Sequence, residues 1–395
     1  MGTVWQQKLE QYAADEPSQV ATTSFGRFLD SIPLVWAAFP RHKLQRTAKY
    51  LIRSLWMPNV TAAWLNELFG TPLLYKLVTK RPRLLFKVHR SYLTKTYQPL
   101  DRLSALRAHY GFLATTNPLL LQSLVNAPSN TITLSRLLSR HFPETDSYLL
   151  TLAITDFADR EGECLLTLVQ ENGHKRIASL AFTITKSAVN HGEISIGCLQ
   201  GAEQPFGAVS MKQATQDLYR WRPKNVLLEA VYAMADVWQI EHIRGVSNRT
   251  GVFNSDQRGH QHVFADYDAF WTACGGALVD SGCYQLPARL MHRTIDEVPS
   301  HHRSEFRKRT QLKAQVILDI VRSLDHNVPA RESTFQEARK HVRPAIGKLV
   351  WQTAGLAVSI ALILTVSLVG WLSSPVDGEI DSMVEESEPA SLFLD

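Results

Sequence analysis

One stretch limits what this chain can become more than any other. Residues 349–372 read LVWQTAGLAVSIALILTVSLVGWL and hold no charged side chain. At 1.5 Å per residue such a helix is about 36 Å long, enough for a hydrocarbon core of about 30 Å. Trp351 and Trp371 stand near its ends, where indole rings favour the membrane interface. The competing reading is a buried core helix, but those are usually shorter and lack bracketing tryptophans. The mean hydropathy of -0.12 hides this run entirely.

The flanks predict an orientation. Arg339, Lys340, Arg343 and Lys348 precede the run, and seven acidic residues from Asp377 to Asp395 follow it. By the positive-inside rule, residues 1–348 are expected in the cytoplasm and the acidic tail 373–395 on the far side of the membrane. The start, MGTVWQQKLEQYAADEP, has no apolar core of a signal peptide. Gln6 occupies the Ser/Thr position of the myristoylation pattern. Four cysteines (Cys164, Cys198, Cys274 and Cys283) form no CxxC pair, which argues against a disulfide scaffold or a zinc ribbon.

The net charge of +5 resolves into unlike parts. Residues 41–107 hold 14 Lys/Arg against two acids, and 301–350 hold 11 against five. A basic helical region over 1–125 and a basic helical segment over 301–348 are therefore expected to bracket a near-neutral domain at 126–300. Within the first, HKLQRTAKYLIRSLW puts Leu44, Ala48, Leu51 and Leu55 in one stripe, with Arg46, Lys49 and Arg53 opposite. Such a helix suits either an anionic bilayer, with Tyr50 and Trp56 at the interface, or an ordinary solvated surface.

The middle changes texture. Residues 148–157, 163–170, 176–185 and 193–200 are rich in Leu, Ile and Thr and are separated by turn signals such as Asn172-Gly173. This pattern predicts a four-stranded antiparallel meander. Helices are expected at 210–220 and 226–238, a strand at 242–247 and a short aromatic helix at 267–274. Alternation of strand and helix after a meander implies a mixed α/β sheet. The fold class is thus α/β (α+β), with a basic helical N-terminal region and a C-terminal transmembrane helix.

The sequence has no P-loop, GxGxxG, HExxH or GxSxG motif. Three clusters remain. Arg220-Trp221-Arg222-Pro223-Lys224-Asn225 precedes the second helix, with Asn225 as its expected N-cap. Three cations at the positive end of a helix dipole conflict with it unless an anion binds there. The alternative is that the arginines turn away to Asp217 or Glu229. The second cluster, Gln204-Pro205-Phe206-Gly207-Ala208-Val209, follows the last meander strand. It resembles the pyrophosphate-binding signature of Gcn5-related N-acyltransferases, with Val209 in place of the final small residue. That resemblance implies coenzyme A as a cofactor. The third runs from Asn248-Arg249-Thr250 to His260, His262, Tyr267 and Asp268. His262 or Asp268 could serve as an acid or base; no third metal ligand has telling spacing, so no metal is assigned.

Strings along the chain resemble the VirK/YbjX family of bacterial proteins. They include WLNEL (64–68), KVHRSYL (87–93), RPKNVLLEAVYAMA (222–235), YDAFW (267–271), GGALVDSGCYQLP (275–287) and HHRSEFRKR (301–309). The resemblance implies a Gram-negative source and a role in envelope integrity, antimicrobial-peptide resistance and virulence. It transfers no catalytic residue. The expected partners are the inner membrane, anionic lipid headgroups and envelope-modifying enzymes, with no nucleic acid. Two functions stay open: a non-catalytic accessory factor, or an acyl-CoA-dependent transferase acting on an envelope precursor.

Overall fold

A computed structural model describes residues 23–38, 43–141, 147–154, 158–186, 192–202, 207–253, 266–291 and 294–324. The apolar run 349–372, the acidic tail, Gln204 and His262 lie outside them. Among the described residues no helix is long and apolar enough to cross a membrane.

Prolines set the N-terminal architecture. Helices α1 (Ser24–Ala38) and α2 (Lys43–Trp56) are followed by α3 (Pro58–Gly70), α4 (Pro72–Lys80), α5 (Pro99–Thr116) and α6 (Pro118–Asn126). Each of the last four starts on a proline. Its fixed φ suits the first helical position, where the missing N–H costs no hydrogen bond. At α5 a capping box completes the start, with the Gln98 N–H donating to Asp101 Oδ2 at 2.9 Å.

The rest of the described chain is built on an eight-stranded sheet, in the order β1-β2-β3-β4-β5-β6-β8-β7. The meander forms as expected, as β2 (Ser147–Ile154), β3 (Cys164–Gln170), β4 (Lys175–Lys186) and β5 (Gly192–Gly201). A strand absent from the sequence reading, β1 (Thr131–Leu138), extends it antiparallel to β2. From β5 the chain runs through α7 (Gly207–Asp217) and α8 (Pro223–Val237) to β6 (His242–Val246). That crossover makes β5/β6 the one parallel pair of the sheet. After α9 (Tyr267–Ala273), the hairpin β7 (Ala277–Leu278) and β8 (Cys283–Gln285) closes that edge, and α10 (Arg303–Leu324) packs on α8 and β1.

Every residue of β4 from Ile177 to Thr185 is buried, as in a strand covered on both faces. Helices α5, α7 and α8 all pack against it. One apolar cluster runs from Val35 and Tyr50 through Trp64 and Phe182 to Ile320 and Leu324.

Two local expectations need correction. The N-cap of α8 is Arg222 and not Asn225, because Pro223 takes the first helical position and draws the start back. Tyr50 is fully buried rather than interfacial. Its hydroxyl meets Ser31 Oγ at 2.8 Å and its ring packs on Phe86 and His89.

Candidate active site at the parted strands

The parallel pair is short. Glu193, Ile194, Ser195 and Ile196 stand opposite His242, Ile243, Arg244 and Gly245, and there the pairing stops. Beyond it β6 pairs only with β8, through Val246 and Cys283. Strand β5 runs on to Gly201 still paired with β4. Its other edge, over Gly197–Gly201, has no strand beside it among the described residues.

A bulge marks the parting point. Ala181 faces Cys198 and Phe182 faces Ile196, so Gly197 is the extra residue. Only glycine fits there. A Cβ on Gly197 would come 1.8 Å from the backbone oxygen of Glu161. The loop into β3 thus packs on β5 at this point and brings Glu161 beside Cys198.

Glu161 is only 4% exposed. Burial lifts its carboxyl to about 7, although a hydrogen bond with the Cys198 thiol partly offsets the rise. Burial, with Glu161 beside it, pushes the Cys198 thiol well up, which makes it inert as a nucleophile. Tyr267 enters from the first residue of α9. Its hydroxyl accepts the Leu199 N–H at 3.4 Å, on the edge of β5 that β6 has left. Burial first, then Cys198 and Glu161, push this phenol well above its ordinary value.

A polar clasp fixes Tyr267. The Asn248 N–H donates to Asp268 Oδ1 at 2.9 Å, Asn248 Nδ2 donates to Asp266 Oδ1 at 2.8 Å, and the Tyr267 N–H donates to Asn248 Oδ1 at 2.8 Å. Asp266 also caps α9 by accepting from the Ala269 N–H. One turn on, Trp271 Nε1 donates to the Val246 carbonyl at 2.8 Å. Its indole covers Gly245, where a Cβ would come 2.4 Å from Trp271 Cε2.

The residues singled out by sequence fall in three places. Asp268 lies in the clasp, where it positions Tyr267. Gly207 is the buried first residue of α7, which leaves the sheet just after the unpaired part of β5. Arg220, Arg222, Lys224 and Asn225 gather at the far end of α7, about 16 Å along its axis from Gly207 for a helix of 11 residues. The two anion-binding candidates are therefore not brought together.

At that far end Arg220 has a left-handed φ of 63° and its carbonyl accepts from Arg309 Nη1. Lys224 is buried and held down at about 8 by burial. Asp217 takes the Tyr148 hydroxyl at 2.7 Å and His141 Nδ1 at 3.0 Å. Glu229 takes Lys313, which also lies over the Trp221 ring. Among the described residues no group of His, Cys, Asp and Glu is placed to hold a metal.

Glu161 and Cys198 escaped the sequence reading. Only Gly162 and Gly197 hint at them, and nothing in a sequence says that those two glycines lie beside each other's neighbours.

The model of the family described as "Protein of unknown function (DUF535)" matches residues 40–321. The uncharacterized protein YbjX of Escherichia coli K12 is 32% identical over 276 residues, covering 69% of this chain and 81% of that one. Two uncharacterized proteins of Haemophilus influenzae are 26% identical over 176 and 160 residues, with 58% and 52% of their lengths covered. No solved structure matches. The chain belongs to the DUF535 family, the VirK/YbjX family whose strings its sequence carries.

Proposed function

We propose that the chain is a group transferase that uses an acyl thioester of coenzyme A and acts on a precursor of the bacterial envelope. The observation that carries this reading is the parted β5/β6 pair, with a buried phenol on the edge of β5 and a buried carboxyl near enough to raise it. The edge of β5 beyond Ile196 has no strand beside it among the described residues, and an extended amide arm would pair there by displacing the Tyr267 hydroxyl from the Leu199 N–H. Gly207 opens α7 directly beyond that edge, where the free N–H groups of a helix start suit phosphate.

The chemistry has a role for each group. Glu161, poised at about 7, takes the proton of an attacking amine or hydroxyl. The nucleophile bonds to the acyl carbon, the C–S bond breaks, and the departing thiolate takes the Tyr267 proton. Glu161 then returns its proton through solvent to the phenolate. Asp268, Asp266 and Asn248 position Tyr267. The envelope as the place of action, at the cytoplasmic face of the inner membrane, draws on the family resemblance and on the run 349–372 with its charge asymmetry.

Calorimetric titration of the full chain in detergent with coenzyme A, acetyl-CoA and a long-chain acyl-CoA tests the proposal. Binding of at least one thioester is expected, and Glu161→Gln should bind it as wild type does but not turn it over. No heat with any of them ends the reading. One observation favours a second function, that of a non-catalytic accessory factor for an envelope-modifying enzyme. Tyr267 and Trp271 already fill the gap, and the Leu199 N–H is satisfied without a ligand.

A further inference from the structure

Helix α2 is folded with its polar face inward. Its buried residues are Thr47, Tyr50 and Ser54, while Leu44, Ile52, Leu55 and Trp56 are 60 to 83% exposed. At 100° per residue, Leu44, Ala48, Ile52 and Leu55 fall within about 80° of arc, and Trp56 extends it to about 120°. Lys49 and Arg53 stand next on its rim. Helix α2 carries Lys43, Arg46, Lys49 and Arg53 and no acidic residue. The neighbouring α1 also turns Phe25, Leu29 and Trp36 outward. These recur at spacings of four and seven and so share one face. The two helices meet where Lys43 Nζ lies over the Trp36 ring at 5.7 Å.

A face this apolar is expensive to leave in water. Its charge decides what covers it. A protein interface tends to exclude lysine, whereas an interfacial helix combines an apolar arc, tryptophan at headgroup level and a Lys/Arg rim. We infer that the outward face of α2, extended by α1, docks on the surface of a bilayer containing anionic phospholipid. The face would set the folded body flat against the membrane, with Leu44, Ile52, Leu55 and Trp56 entering the headgroup layer. This inference does not rest on the acyl-transfer reading, and thioester binding can fail without touching it.

The apolar run 349–372 would hold any form of the chain to vesicles, so the test is a local probe. The full chain, in a Cys283→Ser background, carries an environment-sensitive dye at Ile52→Cys; the other three cysteines are buried. It is reconstituted into vesicles of phosphatidylcholine alone or mixed with phosphatidylglycerol. A blue-shifted emission, quenched by bromolipid, is expected on the mixed vesicles. Reversing the rim with Lys49→Glu and Arg53→Glu should lower the docked population at least about tenfold. Both residues are off the buried face, and an unchanged circular dichroism melt confirms the fold. A probe that stays in water on both vesicles overturns the inference, as does equal docking on both. Shielding without vesicles that grows with protein concentration overturns it too, and gives the face to a second copy of the chain.

Discussion

Replacing Glu161 by Gln should make the protein more stable and less active, and the structure sets the size of the first effect. The carboxyl is only 4% exposed and is raised from its ordinary 4.5 to about 7, chiefly by burial. Below pH 4.5 it is protonated in both the folded and the unfolded chain and has no effect on their balance. Between pH 4.5 and 7 the unfolded chain ionises while the folded chain keeps the proton, so stability falls across that window and levels off above it. At about 1.4 kcal/mol per pH unit, the cost reaches about 3 kcal/mol above pH 7. Glutamine fills the same space and stays neutral. Urea unfolding of the full chain, followed by circular dichroism between pH 5 and pH 8, should therefore give converging midpoints near pH 5. At pH 8 the variant should be more stable by up to about 3 kcal/mol. Parallel pH profiles for the two proteins would refute the reasoning, because Glu161 would then titrate as it does in water. In the proposed transfer reaction the same variant should lose about 100-fold or more in turnover.

Two glycines should respond in opposite directions to alanine. Gly197→Ala drives a methyl into the Glu161 backbone oxygen and should cost about 3 kcal/mol or more. Gly111→Ala, in the middle of α5 with nothing within 4 Å of its new Cβ, should gain about 1 kcal/mol; urea midpoints decide both. Lys313 is 1% exposed and its partner Glu229 5%, so Lys313→Met should lose about 3 kcal/mol by stranding a buried carboxylate. Adding Glu229→Leu should recover most of that in a double-mutant cycle, and an additive result counts against the pairing. His109 is fully buried and held down at about 3 by burial, so folding keeps it neutral. Stability is then lost as pH falls below 6.5, by about 2 kcal/mol at pH 5. His109→Asn retains an acceptor for the Ile184 N–H and should flatten that acid limb.

The meander was legible because β2 to β5 are continuous runs rich in Leu, Ile and Thr, separated in sequence by turn signals. Asn172-Gly173 placed one turn directly, with Gly173 at a φ of 80°. Strand β1 was not legible, because TITLSRLL interleaves polar residues and joins the sheet only by pairing with β2. The stripe on α2 was visible, yet its periodicity could not say whether it faces the core. In the structure Tyr50 provides the anchor, Leu51 packs partly against the core, and Leu44 and Leu55 face out, a choice made by the partners of α2 and not by its pattern. The candidate site was half visible. Tyr267 and Asp268 stand in a conspicuous aromatic string, but Glu161 comes near the Tyr267 phenol only because β5 bulges at Gly197. A contact between residues 161 and 197 belongs to tertiary structure, and no local spacing encodes it.

The clasp at α9 separates two lengths of chain that would otherwise be coupled. Asn248 holds Asp266, Tyr267 and Asp268 directly, so the position of the phenol is indexed to the end of β6. None of these three bonds is made by residues 249–253, whose Thr250 instead takes the Lys95 N–H and gives its hydroxyl to the Gly282 carbonyl. The sequence between 253 and 266 can therefore change in length and composition while Asn248 keeps Tyr267 in place. Divergence within the family should therefore concentrate between these two anchors.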